Sequence, residues 1–196
     1  LFGAAGSGKS LQGQKLADKY GWRWLSVGQL LREQENPELD KIMKTGGLVD
    51  DGFVANMMHE AIVATESDGM NAILDGYPRD KRQAEYVTET MANKLDGAII
   101  LEVPKEELYK RLELRGRDDD KERSSIERRF AVFEQNIYSI LPLLEAKNIP
   151  VSHVDGVGEI EKVTERLVAT VENICPDATI QTQDVNGGEI EKSYGE

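Results

Sequence analysis

The sequence predicts an α/β fold: a mostly parallel sheet with helices packed on both faces. Short apolar runs alternate along the 196 residues with longer segments of helical periodicity. Such alternation is typical of βαβ units, whose right-handed crossovers bring helices onto both faces of a parallel sheet. A second observation is the stretch GAAGSGKS, residues 3–10, which fits the pattern G-x-x-x-x-G-K-[ST] of a loop between a strand and a helix. The length is that of one domain with room for small inserted lobes.

The glycine-rich stretch predicts a phosphate-binding loop. A chain with few Cβ atoms can wrap closely enough around a polyphosphate to aim successive backbone N–H groups at it. The helix that follows adds its unpaired N-terminal amides and the positive end of its dipole. Lys9 supplies a mobile point charge, and the hydroxyl group of Ser10 can hold a magnesium ion.

Composition excludes several classes of function. The net charge of −12 argues against a general nucleic-acid or anionic-membrane binder. No run approaches the roughly 18 apolar residues of a membrane span. Cys175 is the single cysteine, so neither a disulfide framework nor a four-cysteine zinc site can form within one chain. His59 and His153 are isolated in the sequence, and each is interpreted as a surface or packing residue.

The segments follow one another as the fold class requires. Strands are predicted at residues 22–26, 71–75, 98–103 and 149–154. Helices are predicted at 11–20, 27–35, 37–45, from about 52 to 65, at 81–93, 105–115 and 159–174, and as one long or broken helix at 124–147 with Pro142 near its end. If a further strand leads into the phosphate loop, most of it would precede Leu1. Residues 176–196 are polar and without period, and are predicted to form a flexible tail.

Charged residues at the ends of these segments indicate phosphate chemistry. Asp75 ends an apolar strand, where an acid can help to organise a magnesium ion opposite Ser10. Arginines follow the strands predicted at 22–26 and 71–75 and surround a charged loop near residue 117. Guanidinium groups bind phosphate oxygens bidentately and stay charged when partly desolvated. These arginines are Arg32, Arg79, Arg111, Arg115, Arg117 and Arg129.

These motifs together resemble the nucleoside monophosphate kinases, and among them the adenylate kinases most closely. Besides the phosphate loop, the matching pieces are SVGQLLR at 26–32, GGLV at 46–49, LDGYPR at 74–79 with Gln83, and RDDD at 117–120 ahead of Arg129. The element D-G-[FY]-P-R is fairly specific to that family. The resemblance extends over most of the first 175 residues.

The resemblance implies a three-layer P-loop NTPase fold with a five-stranded parallel sheet and two small lobes. The core would comprise residues 1–26, 66–114 and 130–175. A lobe at 27–65 would bind the monophosphate acceptor, and residues 115–129 would form a short lid. The reaction implied is reversible, magnesium-dependent transfer of a phosphoryl group from ATP to AMP, without zinc. We expect a cytoplasmic monomer that binds neither nucleic acid nor membrane.

The resemblance also implies a role for each site residue. Arg32 and Arg79 would hold the acceptor phosphate, Gln83 would read the acceptor base, and Arg111 would stack near the donor adenine. The catalytic set would be Lys9, Arg79, Arg115, Arg117 and Arg129. The ATP contacts would be Gly3, Ala5, Gly6, Ser7, Gly8, Lys9, Ser10, Leu11, Arg111, Arg115 and Gly158. The AMP contacts would be Val27, Gly28, Arg32, Leu48, Val49, Gly76, Arg79, Gln83, Arg117 and Arg129. Magnesium would be held by Ser10 and Asp75, partly through water.

Several positions depart from the family pattern. Ser10 and Leu11 stand where Gly and Thr are usual, Val27 replaces a threonine, and Gln29 replaces an aspartate. Two alternatives therefore stay open. Val27 favours a UMP/CMP-type kinase, against which Gln83 argues. The three departures Leu11, Val27 and Gln29 favour a nucleotide-binding regulator without turnover, against which the retained Lys9 and Asp75 argue.

Overall fold

The computed structural model describes residues 1–44, 49–116, 120 and 122–178. Within these residues the chain alternates between strands and helices. The strands are Arg23–Ser26 (β1), Ala72–Asp75 (β2), Ala98–Glu102 (β3) and Val151–Asp155 (β4). The helices are Lys9–Tyr20 (α1), Val27–Glu33 (α2), Pro37–Lys44 (α3), Asp51–Ser67 (α4), Lys81–Thr90 (α5), Lys105–Arg115 (α6), Arg123–Glu145 (α7) and Ile160–Ile174 (α8).

The strands form two parallel pairs that Leu1 and Phe2 connect. β1 pairs with β2, and β3 pairs with β4, each in parallel register. Phe2 forms a parallel bridge with Ile100 of β3, and the Leu1 nitrogen donates to the Leu74 carbonyl of β2 at 2.8 Å. The described residues thus form two pairs of strands with a bridge from Phe2, and the five-stranded sheet stays a prediction.

Helices cover both faces of these strands, as predicted. α1 and α8 pack on one face, where Leu16 and Leu167 lie with the strand residues Ile99, Leu101 and Val154 in one buried cluster. The opposite face is covered by α5 and α7. There Ile100 lies with Ile137 and Leu144 of α7 and Ala84 of α5. Because successive strand residues point to opposite faces, an apolar residue at every position is what a doubly covered strand needs.

A third buried cluster joins β1 and β2 to the helices α2, α3 and α4. Val27 and Met58 are fully buried at its centre, beside Leu25 and Tyr77. This cluster attaches the segment predicted as the acceptor lobe to the edge of the sheet formed by β1.

The helix boundaries differ from the prediction mainly at three places. α1 begins at Lys9, inside the phosphate loop, because Gly8 with φ 87° serves as its N-cap. The helix predicted at 81–93 ends at Thr90, and a short 3₁₀ turn follows at Ala92–Lys94. α7 is one continuous helix that includes Pro142. The bond that Pro142 cannot make would go to the carbonyl of Tyr138, a residue on the exposed side of the helix.

Both tryptophans of the sequence lie beside α1. Trp22 stacks on Tyr20 with ring centroids 4.7 Å apart, and Trp24 of β1 lies against Gly13, where an added Cβ would come within 3.1 Å of the indole nitrogen. No helix in the described part of the chain combines the length and apolarity needed to span a bilayer.

Candidate functional site

The phosphate loop runs from Gly3 to Ser10, between Phe2 at the sheet and α1. Its glycines are required by geometry: a Cβ at Gly3 would lie 2.5 Å from Ser7 Oγ, and one at Gly6 would lie 2.9 Å from the side chain of Leu112. Gly6 and Gly8 both have positive φ, the region that favours glycine. The loop closes through a bond from the Ser7 nitrogen to the Ala4 carbonyl at 3.1 Å. Ala5 follows Ala4 in this turn.

The loop opens onto a cleft with a volume of about 500 Å³. Ser10 is exposed there, Lys9 is half-buried, and Leu11 is 45 % exposed. The walls opposite the loop come from α6 and from the turn that follows β4. The lining residues are Gly6 to Gln12, Glu107, Arg111, Arg115, Gly156, Gly158, Ile160 and Val163. Every described residue predicted to bind ATP, apart from Gly3 and Ala5, therefore lines one cleft.

Asp75 lies at the C-terminal end of β2, at the same edge of the strands as the phosphate loop. It is 2 % exposed, and its Oδ1 atom has no hydrogen-bond partner among the described residues. A buried carboxylate oxygen without a partner is costly unless a ligand satisfies it. Together with the exposed Ser10 hydroxyl it offers the oxygen donors that a hydrated magnesium ion prefers. The residues present therefore fit the predicted ion.

Arg79 and Gln83 are joined at the start of α5. The Arg79 nitrogen donates to Gln83 Oε1 at 2.8 Å, and Arg79 Nε donates to the Gly76 carbonyl at 2.7 Å. Gln83 Nε2 reaches Asp51 Oδ1 of α4 at 3.4 Å. Desolvation lowers the pKa of Arg79, and the Asp75 carboxylate partly offsets this, so the guanidinium remains charged. Gln83 is 4 % exposed, and its amide is therefore held in one orientation.

The remaining residues predicted to bind the acceptor lie in the segment 27–65, which was predicted as the acceptor lobe. Gly28 and Arg32 share a face of α2, where a Cβ at Gly28 would lie 3.6 Å from Arg32 Nη1. Arg32 is exposed, and Val49 is half-buried against the cluster around Met58. Val27 is fully buried in that cluster, backbone included. Leu48, Gly46 and Gly47 lie outside the described residues.

Arg115 and Arg129 converge on Asp120. Arg115 donates to both carboxylate oxygens, from Nε at 2.7 Å and from Nη2 at 2.8 Å. Arg129 Nη2 donates to Oδ1 at 2.7 Å. The Asp120 side chain is 1 % exposed. Burial opposes its ionisation, but the hydrogen bonds and charges of the two arginines outweigh burial and lower the pKa of Asp120. Arg117 lies outside the described residues.

Three residues of these contacts were not predicted as site residues. Asp120 was part of a matching motif but received no role, because nothing in a run of three acids shows which one is buried. Asp51 holds Gln83 across 32 residues of sequence, a pairing that no local pattern indicates. Glu107 accepts from Arg111 Nε at 2.9 Å, and its spacing of four residues before Arg111 is the signal that indicates such a pair.

Comparison with known proteins identifies the family. The sequence model of the family described as adenylate kinase matches residues 1–149. A protein named adenylate kinase from Synechococcus sp. (strain WH7803) is 33 % identical over 180 residues, which cover 87 % of this chain and 96 % of the relative. Another of that name from Mycolicibacterium vanbaalenii is 36 % identical over 175 residues, covering 85 % and 94 %.

A third protein of that name, from Thermus thermophilus, is 31 % identical over 184 residues, which cover 87 % of this chain and 95 % of the relative. The predicted resemblance is therefore confirmed over the phosphate loop, the strand that ends in Asp75, and the arginine-bearing segments. The chain belongs to the adenylate kinase family and is a nucleoside monophosphate kinase with the α/β P-loop fold.

Proposed function

We propose that this protein transfers a phosphoryl group reversibly from ATP to AMP, giving two molecules of ADP. The observation that carries the proposal is the arrangement of charge at one edge of the parallel strands. There the phosphate loop follows Phe2, which bridges to β3, while Asp75 ends β2 and the Arg79–Gln83 pair follows it. Ligands of parallel α/β sheets bind at this edge.

The donor would lie in the cleft of the phosphate loop. Its phosphates would accept hydrogen bonds from the backbone N–H groups of residues 5–10 and would be neutralised by Lys9. The first turn of α1 would lie beneath them. Arg115 and Arg129 would turn from Asp120 toward the transferring group, with Arg117. The base would lie between Arg111 and the turn at Gly158.

The acceptor would lie between α2, α4 and the start of α5. Arg32 and Arg79 would neutralise its phosphate, and Gln83 would read the base edge while Asp51 and the Arg79 backbone hold its amide in place. Gly28, Val49, Leu48 and Gly76 would line this site, with Val27 buried behind them. The acceptor phosphate is itself an anionic nucleophile, so the residues need only align it and stabilise charge.

Ser10 and Asp75 would hold magnesium, partly through water. When bound, the ion neutralises charge on the donor phosphates. Ser10 takes the position at which phosphate loops in general carry their hydroxyl ligand. Leu11, beside it, presents an apolar surface to the cleft.

The wider architecture follows from the same proposal. Leu1 and Phe2 would occupy the middle position of a five-stranded sheet between β2 and β3. Residues 27–65 and 115–129 would act as an acceptor lobe and a short lid on a core of residues 1–26, 66–114 and 130–175, with 176–196 as a tail. Closure of both lobes would keep water away from the transferring phosphoryl group.

The test offers ATP and magnesium with AMP, CMP, UMP or GMP in turn and follows formation of the diphosphate. We expect transfer to AMP to exceed transfer to the others by about tenfold or more, because Gln83 can pair with the adenine edge. A preference for CMP or UMP would show a pyrimidine acceptor. ATP binding without transfer to any acceptor would identify a nucleotide-binding regulator.

A further inference from the structure

Arg111 joins two walls of the nucleotide cleft that lie far apart in the sequence. Its Nη1 donates to the Ser7 carbonyl of the phosphate loop at 3.3 Å, and its Nη2 donates to the Gly156 carbonyl after β4 at 3.0 Å. Its Nε donates to Glu107 Oε1, one helical turn earlier on α6, at 2.9 Å. All three contacts use N–H groups at the edge of the planar guanidinium.

The turn after β4 is held from a second direction. Arg166 of α8 donates through Nη1 to the carbonyls of Asp155, at 2.8 Å, and Val157, at 2.7 Å. Three successive carbonyls, from Asp155 to Val157, therefore each accept from an arginine. Of the two arginines, only Arg111 also reaches the phosphate loop in the described contacts, so it is the one that bridges the loop and the turn.

Glu107 is the contact that can set this orientation. The bonds to Ser7 and Gly156 leave the guanidinium free to tilt about the line that joins the two carbonyls. The carboxylate at Nε supplies a third point and so fixes the plane. Glu107 is one-third exposed and lines the same cleft. A guanidinium plane fixed by its edge presents one face at a constant angle, which is what stacking on a flat base needs.

We propose that Glu107 is a positioning residue for the donor nucleotide: it fixes the plane of Arg111, which bridges the phosphate loop and the turn at Gly156. The proposal rests on the proposed function, since it takes a nucleoside triphosphate as the ligand of this cleft. Glu107 acts on binding of the donor and leaves the acceptor site and the transfer step untouched.

A purely structural role predicts a different result. An exposed ion pair between helix residues four apart contributes about 0.3–0.5 kcal/mol to stability. Such a pair has no bearing on ligand affinity. If Glu107 is only such a pair, its removal lowers stability slightly and leaves the binding of ATP unchanged. Affinity for ATP, measured apart from stability, separates the two roles.

The experiment compares Glu107→Ala, Glu107→Gln and the matched control Glu106→Gln. Glu106 is exposed in the same first turn of α6 and carries the same charge, so it controls for the helix dipole and for net charge. The readouts are the ATP dissociation constant from titration calorimetry, the KM for ATP, the KM for AMP, and kcat. Circular dichroism and the midpoint of urea unfolding establish that each variant is folded.

We expect Glu107→Ala to raise the ATP dissociation constant and the KM for ATP about tenfold, because an Arg111 side chain that is no longer held must be ordered when ATP binds. The KM for AMP and kcat should stay within about twofold of the wild type. Glu107→Gln should recover most of the affinity, because its amide oxygen can still accept from Arg111 Nε. Glu106→Gln should bind ATP like the wild type.

Two results would overturn the proposal. Unchanged ATP affinity in a folded Glu107→Ala variant would reduce the pair to a surface contact. An equal decrease of the ATP dissociation constant in Glu107→Ala and Glu107→Gln would show that Glu107 acts on the phosphates only by repulsion. A wild type that binds ATP but transfers to no acceptor would overturn the proposed function alone, because the dissociation constant still tests Glu107.

Discussion

Arg79 is held in place by residues three before it and four after it. Its Nε donates to the Gly76 carbonyl, and its backbone nitrogen donates to Gln83 Oε1. Gly76 has φ 76°, and a Cβ there would lie 3.0 Å from Arg79 Nη2. The glycine of the D-G-Y-P-R element therefore leaves room for the guanidinium to fold back over the turn, where we propose that it meets the acceptor phosphate.

We expect Arg79→Ala to lower kcat/KM for AMP by roughly 10³-fold or more, the scale on which arginines contribute to phosphoryl transfer. Steady-state kinetics with varied AMP measure this loss, and urea unfolding checks that the fold survives. Arg82→Ala, which removes an exposed arginine from the first turn of α5, is the matched control. A normal rate in Arg79→Ala would place Arg79 outside the acceptor site.

Residue identities were predictable where chemistry and spacing coincide in the sequence. Lys9, Ser10 and Arg111 line the predicted donor cleft because a local motif or a single helix places them. Partners such as Asp51 and Asp120 were not predictable as such. Each is selected by burial and by contacts across many residues, and neighbouring acids in the sequence look identical to it.

At the scale of elements, the contact between the phosphate loop and α6 restricts which residues the loop can contain and where it can move. Gly6 lies against Leu112, a fully buried residue, and against the Leu108 carbonyl. The loop can therefore neither gain a side chain at Gly6 nor move toward α6. This contact explains why the glycine pattern is needed even before a nucleotide binds.

We expect Gly6→Ala to weaken ATP binding severely and to lower the free energy of unfolding by more than Gly69→Ala does. Both glycines have positive φ, which costs alanine roughly 1–2 kcal/mol. Only Gly6 adds a collision, at 2.9 Å from Leu112, whereas nothing lies within 4 Å of a Cβ at Gly69. Urea unfolding and ATP titration of both variants measure the difference. Equal costs at the two sites would show that Leu112 gives way without displacing the loop.

Element types and order followed from periodicity, whereas boundaries depended on contacts between elements. The strands and helices predicted from apolar runs are all present among the described residues, within a few residues of their predicted ends. α1 begins earlier than predicted because the left-handed Gly8 can cap it. The continuity of α7 through Pro142 was open in the sequence, since it depends on the exposure of Tyr138.

Across the whole molecule, the cluster formed by Asp120, Arg115 and Arg129 makes stability depend on pH. It ties the end of α6 to α7 through one buried carboxylate. Its two arginines are half-buried, so their charges are only partly screened by solvent. The carboxylate is therefore stabilised as an anion only while both arginines stay in contact with it.

We expect Asp120→Asn to lower the free energy of unfolding by about 1–3 kcal/mol near neutral pH. The pKa of Asp120 is lowered in the folded protein, so its stabilising contribution is fully present above the unfolded pKa of about 3.9. The contribution is lost as the pH falls through the lowered folded value, and the two proteins should then converge. Urea unfolding of both proteins from neutral to acidic pH measures the gap. A gap that persists unchanged to the most acidic pH would show that ionisation of Asp120 is not its source.

Because both tryptophans lie beside α1, the intrinsic tryptophan fluorescence of the protein reports on this helix. Trp22 stacks on a residue of the helix that begins in the phosphate loop, and Trp24 touches Gly13 in that same helix. Their emission depends on the packing of α1, and no other segment contains this fluorophore. Rapid mixing with nucleotide can therefore follow the helix in real time without a dye, a label or an added mutation.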